Sequence, residues 1–209
     1  LNGEIPRPLT GQEIAGLVEK FALAAQRAKK AGFDAVELHG GFGYLLAQFL
    51  SPYFNRRDDE YGGSTEKRLR FPVMIIRRIR EILGAHFPIM FRMNGDEFLD
   101  GGLTLAESKI YAKILEKESV DLLHITGGCG LTPERHIEPM SYPQADKVYL
   151  AGEIKQEVSI PVATVGVLRE PQVADDLLSK GIADFVALGR TLIADPHWAN
   201  KASLGRQVN

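Results

Sequence analysis

Five helix-like patterns alternate with five short apolar runs along this chain, and that alternation leaves few folds open. Thr10 and Glu13 have capping-box spacing, and Ile14, Leu17, Val18, Phe21, Ala22 and Ala25 then recur at a helical period up to Gly32. The run 35–39 reads as the first strand. A second helix starts at Ser64 and passes through Ile75, Ile76, Ile79 and Leu83 to Gly84, with Pro72 predicted to kink or restart it. Residues 88–94 form the next strand. Thr104 and Glu107 repeat the capping box, and that helix runs to about 118. Strand 122–126 follows, then a polar loop with Pro133, Pro139 and Pro143, then a helix over 144–157. Strand 161–167, a helix between Pro171 and Gly181, and strand 185–188 complete the pattern. Helices of this length between strands require crossovers, hence a parallel sheet.

Strand parity adds a constraint. Glu37 and His39 share one face, as do Arg92 with Asn94 and His124 with Thr126, while Val36, Leu38, Phe91, Met93, Leu123 and Ile125 share the other. A sheet covered on both sides would be apolar on both. A (β/α)8 barrel whose site opens at the strand C-terminal ends accounts for the polar face. Isolated polar residues at the strand ends of an open α/β sheet are the alternative.

The 209 residues suit one domain. A net charge of −2 with both signs interspersed gives no electrostatic case for nucleic acid or an anionic membrane. The single cysteine, Cys129, can neither close an internal disulfide nor hold a metal cluster, so no metal is expected. No apolar run approaches the roughly 18–20 residues a membrane span needs. The opening Leu1-Asn2-Gly3-Glu4-Ile5-Pro6 is not a signal peptide, and Leu1 is not a natural start. The chain therefore reads as part of something longer, with a cytoplasmic location expected.

The most specific stretch is His39-Gly40-Gly41-Phe42-Gly43-Tyr44-Leu45-Leu46-Ala47-Gln48-Phe49-Leu50-Ser51-Pro52, leading into Asn55-Arg56-Arg57-Asp58-Asp59-Glu60-Tyr61-Gly62-Gly63-Ser64. It resembles the old yellow enzyme and 2,4-dienoyl-CoA reductase family of FMN-dependent alkene reductases. The resemblance implies an FMN enzyme, reduced by NAD(P)H, that reduces an activated carbon–carbon double bond in a small molecule. It assigns Tyr44 as the proton donor to the alkene and His39 as the donor to its activating carbonyl or carboxylate. One position departs. Phe42 stands where the family often has a second histidine or an asparagine, which removes a donor and favours bulkier or carboxylate- and thioester-bearing substrates. The Asn55–Ser64 stretch is expected to hold a loop closed, without direct chemistry. Cys129 and His124 are read as structural, and His136 as a lesser candidate on a substrate-facing loop.

The resemblance also places Arg92 against the flavin pyrimidine, with an ion pair to Glu37 as the alternative or accompanying reading. Gly166, Val167, Gly189 and Arg190 map onto the FMN phosphate site, where close backbone approach needs small residues. The end of the chain, Ala194-Asp195-Pro196-His197-Trp198-Ala199-Asn200-Lys201-Ala202, is similar to the segment that closes the family barrel. An iron–sulfur segment follows it in dienoyl-CoA reductase-like members, but its cysteines are absent here. Residues 1–209 thus read as a partial FMN-binding TIM-barrel domain, family strands four to eight, without the first three. Five strands leave two open edges, so pairing into a homo-oligomer is one expectation. Two rival readings remain: a truncated barrel without flavin or activity, and another FMN- or phosphate-binding barrel enzyme.

Overall fold

The computed structural model describes residues 6–206 and 208; the opening Leu1–Ile5, read above for its missing start residue and signal, lies outside them. The first helix, α1 (Gly11–Lys30), begins where the capping box predicts: Thr10 Oγ1 accepts from the Glu13 N–H at 3.3 Å, and Glu13 accepts from the Thr10 N–H at 2.8 Å. Five strands follow: β1 (Val36–Gly40), β2 (Ile89–Asp96), β3 (Leu122–Gly127), β4 (Val162–Val165) and β5 (Phe185–Ala187). They lie in sequence order in one sheet, every pairing parallel. The long helices between them are α3 (Thr65–Leu83), α4 (Leu105–Lys117) and α7 (Pro171–Ser179). This is a segment of a (β/α)8 barrel.

Register turns the parity pattern into two faces. Leu38, Phe91, Leu123 and Val162 pair in one row and enter the core with Ile14, Phe71, Ile75, Ile79 and Tyr111 from the helices. His39, Arg92, His124, Ala163 and Phe185 pair in the next row, on the opposite face.

Three local expectations change. Pro72 sits inside α3, which runs on through it without a restart. Leu69, Phe71, Ile75, Ile76 and Ile79 around it are fully buried, and that packing outweighs one missing backbone donor. The helix expected over 144–157 is α6 (Tyr149–Lys155), because Ala145 takes a positive φ of 61° and residues 144–148 form turns instead. Four short helices were not anticipated: α2 (Leu45–Leu50), α5 (Pro133–His136), α8 (Arg190–Ala194) and α9 (Trp198–Ser203).

Candidate active site

The C-terminal ends of β1 to β3 bring the polar row together. Glu37 Oε1 lies 3.0 Å from His124 Nδ1. Burial alone would raise the Glu37 carboxyl, but His124 and the positive field of Arg92 hold it below its ordinary range. The ion pair suggested for Arg92 with Glu37 is therefore not what forms: the carboxylate goes to His124. The Arg92 guanidinium instead stacks 4.8 Å from the Phe42 ring centroid, and its Nε is buried with no hydrogen-bond partner.

Phe42 organises the opening. It holds a left-handed backbone at φ 62°, fixed by Asn94 Oδ1, which accepts its N–H at 3.2 Å. The His136 ring stacks on it at 4.2 Å, and His39 lies 5.6 Å from it and 5.5 Å from Tyr44. Tyr44 stands at the position just before α2, without a side-chain capping bond, and is 60% exposed, while Gln48 Nε2 donates to the Gly43 carbonyl at 2.9 Å and steadies the turn. Burial, then the Arg92 charge, lowers the His39 pKa; burial, then Lys147 and Arg92, lowers that of His136. Both imidazoles are thus biased toward the neutral form.

Behind this opening lies a cavity of about 740 Å³. All five expected cofactor residues line it: Arg92, Gly166, Val167, Gly189 and Arg190. His39 and Tyr44 do not; Phe42 and His136, which do, connect them to it. Gly166 has φ 152° and Val167 φ 34°, so the backbone after β4 turns sharply. A Cβ on Gly189 would meet nothing within 4 Å, so this backbone faces open space. Arg190 Nη1 donates to the Glu138 carbonyl at 2.7 Å. Sequence reasoning missed Glu138 and Lys147, which line the same cavity. Burial raises the first and lowers the second, and only their opposite parity of charge on a long polar loop could have signalled them.

A buried carboxyl ties the surrounding loops. Glu97 Oε2 accepts from Ser51 Oγ at 2.6 Å and from the Leu103 N–H at 2.8 Å, while its backbone carbonyl accepts from Thr132 Oγ1 at 2.9 Å. The loops after β1, β2 and β3 are thereby joined, and burial raises the Glu97 pKa. The Asn55–Ser64 loop closes on itself: Asn55 Nδ2 donates to the Phe49 and Tyr61 carbonyls at 2.7 Å each, and Arg57 pairs with Asp59. At Gly62 a Cβ would lie 2.2 Å from the Arg57 carbonyl, so no side chain fits there. A second cavity, of about 620 Å³, lies between residues 6–9 and that loop and holds none of the expected site residues.

A parallel barrel wall, with helices packed outside and polar groups gathered at the strand C-terminal ends, defines the class of the (β/α)8 enzymes. The chain belongs to the NADH:flavin oxidoreductase / NADH oxidase family, which it matches over residues 1–209. It is 54% identical over 205 residues to the NADH oxidase of Thermoanaerobacter brockii, covering 98% of this chain and 32% of that protein. It is 39% identical over 209 residues to the NADPH dehydrogenase of Clostridium acetobutylicum, covering 100% of this chain and 60% of that protein. Among solved structures, 2-naphthoyl-CoA reductase in complex with 2-naphthoyl-CoA superposes with a TM-score of 0.92 at 32% identity, over 96% of this chain and 30% of that one. Morphinone reductase in complex with tetrahydroNAD gives 0.79 at 33% identity, over 99% and 53%. The chain therefore spans less than two-thirds of each of these relatives. The cavity suits the flavin the family name implies: the Arg92 and Arg190 guanidinium groups line it, and the Gly189 backbone beside them has no atom within 4 Å of where a Cβ would stand. No described helix is long and apolar enough to cross a membrane.

Proposed function

We propose that the protein containing this chain is an FMN-dependent oxidoreductase that reduces an activated carbon–carbon double bond with electrons from NAD(P)H. Residues 1–209 are then the part of its barrel after the first three strands. The observation that carries the reading is the meeting of Arg92, Gly166, Val167, Gly189 and Arg190 in one cavity, next to the His39–Phe42–Tyr44 turn.

FMN, when bound, supplies a hydride donor that amino acids lack. The backbone at Gly166, Val167 and Gly189, with the Arg190 cation, holds the phosphate. Arg92, which lines the same cavity, would set its positive charge beside the cofactor and so favour its anionic reduced form. His39, kept neutral by burial and Arg92, donates one N–H to the carbonyl that activates the alkene. Tyr44, exposed beside it, delivers the proton to the alkene α-carbon. Phe42 adds no donor, which turns the preference toward bulkier or thioester-bearing alkenes. His136, stacked on Phe42, borders the same opening.

The likeness to a reductase solved with 2-naphthoyl-CoA supports the thioester preference. The small-molecule alkene is the partner, and association into a homo-oligomer and a cytoplasmic location belong to the same proposal. Any iron–sulfur cluster would draw its cysteines from outside this chain. Absorbance of the purified full-length protein tests the reading. A flavin band near about 450 nm, bleached by NAD(P)H and restored by a 2-enoyl thioester, is the expected result. A colourless protein would favour the flavin-free barrel, and a yellow protein that leaves the thioester untouched would favour a different flavin-barrel chemistry.

A further inference from the structure

The proposed chemistry makes no use of the buried Lys147. Its side chain is 4% exposed and that of Glu138 is 1% exposed, yet the two charges stand 3.6 Å apart, too far for a good hydrogen bond. Lys147 Nζ makes its short contact elsewhere: it donates to the Arg135 carbonyl at 2.8 Å and reaches the Gly127 carbonyl at 3.4 Å. Glu138 Oε1 is buried with no partner. Gly166 backs onto both groups, since a Cβ there would lie 3.4 Å from Glu138 Oε2 and 3.4 Å from Lys147 Cγ.

The placement of those carbonyls gives the contact its meaning. Gly127 ends β3, and Arg135 precedes His136, so one ammonium ties the start of the loop after β3 to the short helix that carries His136. The loop is held from its other side by Arg190, which donates to the Glu138 carbonyl at 2.7 Å, and by Arg169, which donates to the Met140 carbonyl at 3.0 Å. Between these fastenings Ile137 and Met140 are 62% and 77% exposed, so residues 137–140 have little apolar anchorage of their own. A lysine buried at a cost, with its best bond to a backbone carbonyl, is there to hold backbone rather than to balance charge.

We propose that Lys147 is a positioning residue that pins the loop 128–141 across the mouth of the cofactor cavity through its bonds to the Arg135 and Gly127 carbonyls. The loop then presents His136 and Ile137 to the substrate side of the opening. The role rests on the functional reading above only for its effect on turnover; the pinning itself needs no ligand.

The test uses the full-length, flavin-loaded protein with Lys147→Met and Glu138→Gln, read by amide hydrogen exchange and by half-reaction kinetics with a 2-enoyl-CoA thioester. Lys147→Met should speed exchange in 128–141 by about tenfold or more while β2 and β3 stay protected. KM for the thioester should rise about tenfold while reduction by NAD(P)H keeps its rate, because only the substrate-side loop has moved. Glu138→Gln should leave exchange in 128–141 near wild type, because the carbonyl pins remain. If the bare carboxylate prevents Lys147→Met from folding, the pair Lys147→Met with Glu138→Leu removes it and still lacks the carbonyl pins, so the same two effects are expected. Unchanged exchange in the lysine variants overturns the proposal, as does a Glu138→Gln variant whose loop exchanges as fast as that of Lys147→Met, which would make charge pairing the function. If the protein reduces no thioester, the functional reading fails, and the exchange measurement still decides the role of Lys147.

Discussion

The two ends of this sheet are built differently. Around β1, β2 and β3 a large core joins Ile14, Leu69, Phe71, Ile75, Ile79, Phe91, Tyr111 and Leu123, all fully buried. Beside β4 and β5 the second cluster is small, its buried members among the described residues being Val148, Leu168 and Leu177, and β5 is three residues long with Phe185 54% exposed. The thin end nevertheless supplies four of the five cavity residues expected to hold a cofactor. The large core thus lies at one end of the sheet, and most of the residues proposed to hold a cofactor lie at the other.

The largest effect should come from the thick end. Phe71 is fully buried and packs on Phe49 at 4.8 Å and Phe21 at 6.4 Å. In residues 1–209 by themselves, Phe71→Ala should cost roughly 3–5 kcal/mol in chemical denaturation, whereas Phe185→Ala should cost less than about 0.5 kcal/mol. Equal losses would erase the contrast.

Next comes Tyr44→Phe, which should slow alkene reduction by about 10²-fold while leaving reduction by NAD(P)H and the denaturation midpoint unchanged. Tyr44 is exposed, so a loss of stability would mean that it packs rather than reacts. The smaller glycine pair separates backbone strain from ligand space. Gly189→Val should lower flavin affinity by about tenfold without loosening the fold, since its Cβ meets only open space. Gly166→Ala should impair both, because φ 152° is unsuited to a side chain. Retained flavin affinity in Gly189→Val would remove that loop from the site.

The sequence shows the thick end far better than the thin one. Parity separated Leu38, Phe91 and Leu123 from His39, Arg92 and His124 because a strand alternates whatever its neighbours do. Both capping boxes appeared in place because their partners are three residues apart. Hidden were the features set by distant partners. Glu37 chose His124, 87 positions away, over Arg92. Lys147 and Glu138 meet only because the loop after β3 folds back under Gly166. The short helices α2, α5, α8 and α9 are too brief to show a period, so loop residues and helix residues looked alike there. At Pro72 the helix does not restart, because the fully buried residues around it hold α3 together.

The smallest effect concerns the two imidazoles that the two regions bring to one opening. His39 comes from β1 and His136 from the loop beyond β3, and burial is the first cause of the lowered pKa in each. Arg92 repels a proton on both; Lys147 adds to this for His136, while Glu37 works against it for His39. An unfolded histidine titrates near about 6.5, so each ring binds its proton less readily when folded. The sign follows from linkage. Stability from these rings is fully present above about pH 6.5 and is lost as pH falls through their lower folded midpoints. In the flavin-free protein, both imidazole resonances should therefore show NMR titration midpoints below about 6.5. Replacing Lys147 by Met should raise the His136 midpoint and leave that of His39 nearly still, because Lys147 is among the causes only for His136. A His136 midpoint that ignores Lys147 would mean that the lysine does not sit under that loop, and with it would go the structural link between the cavity and the opening.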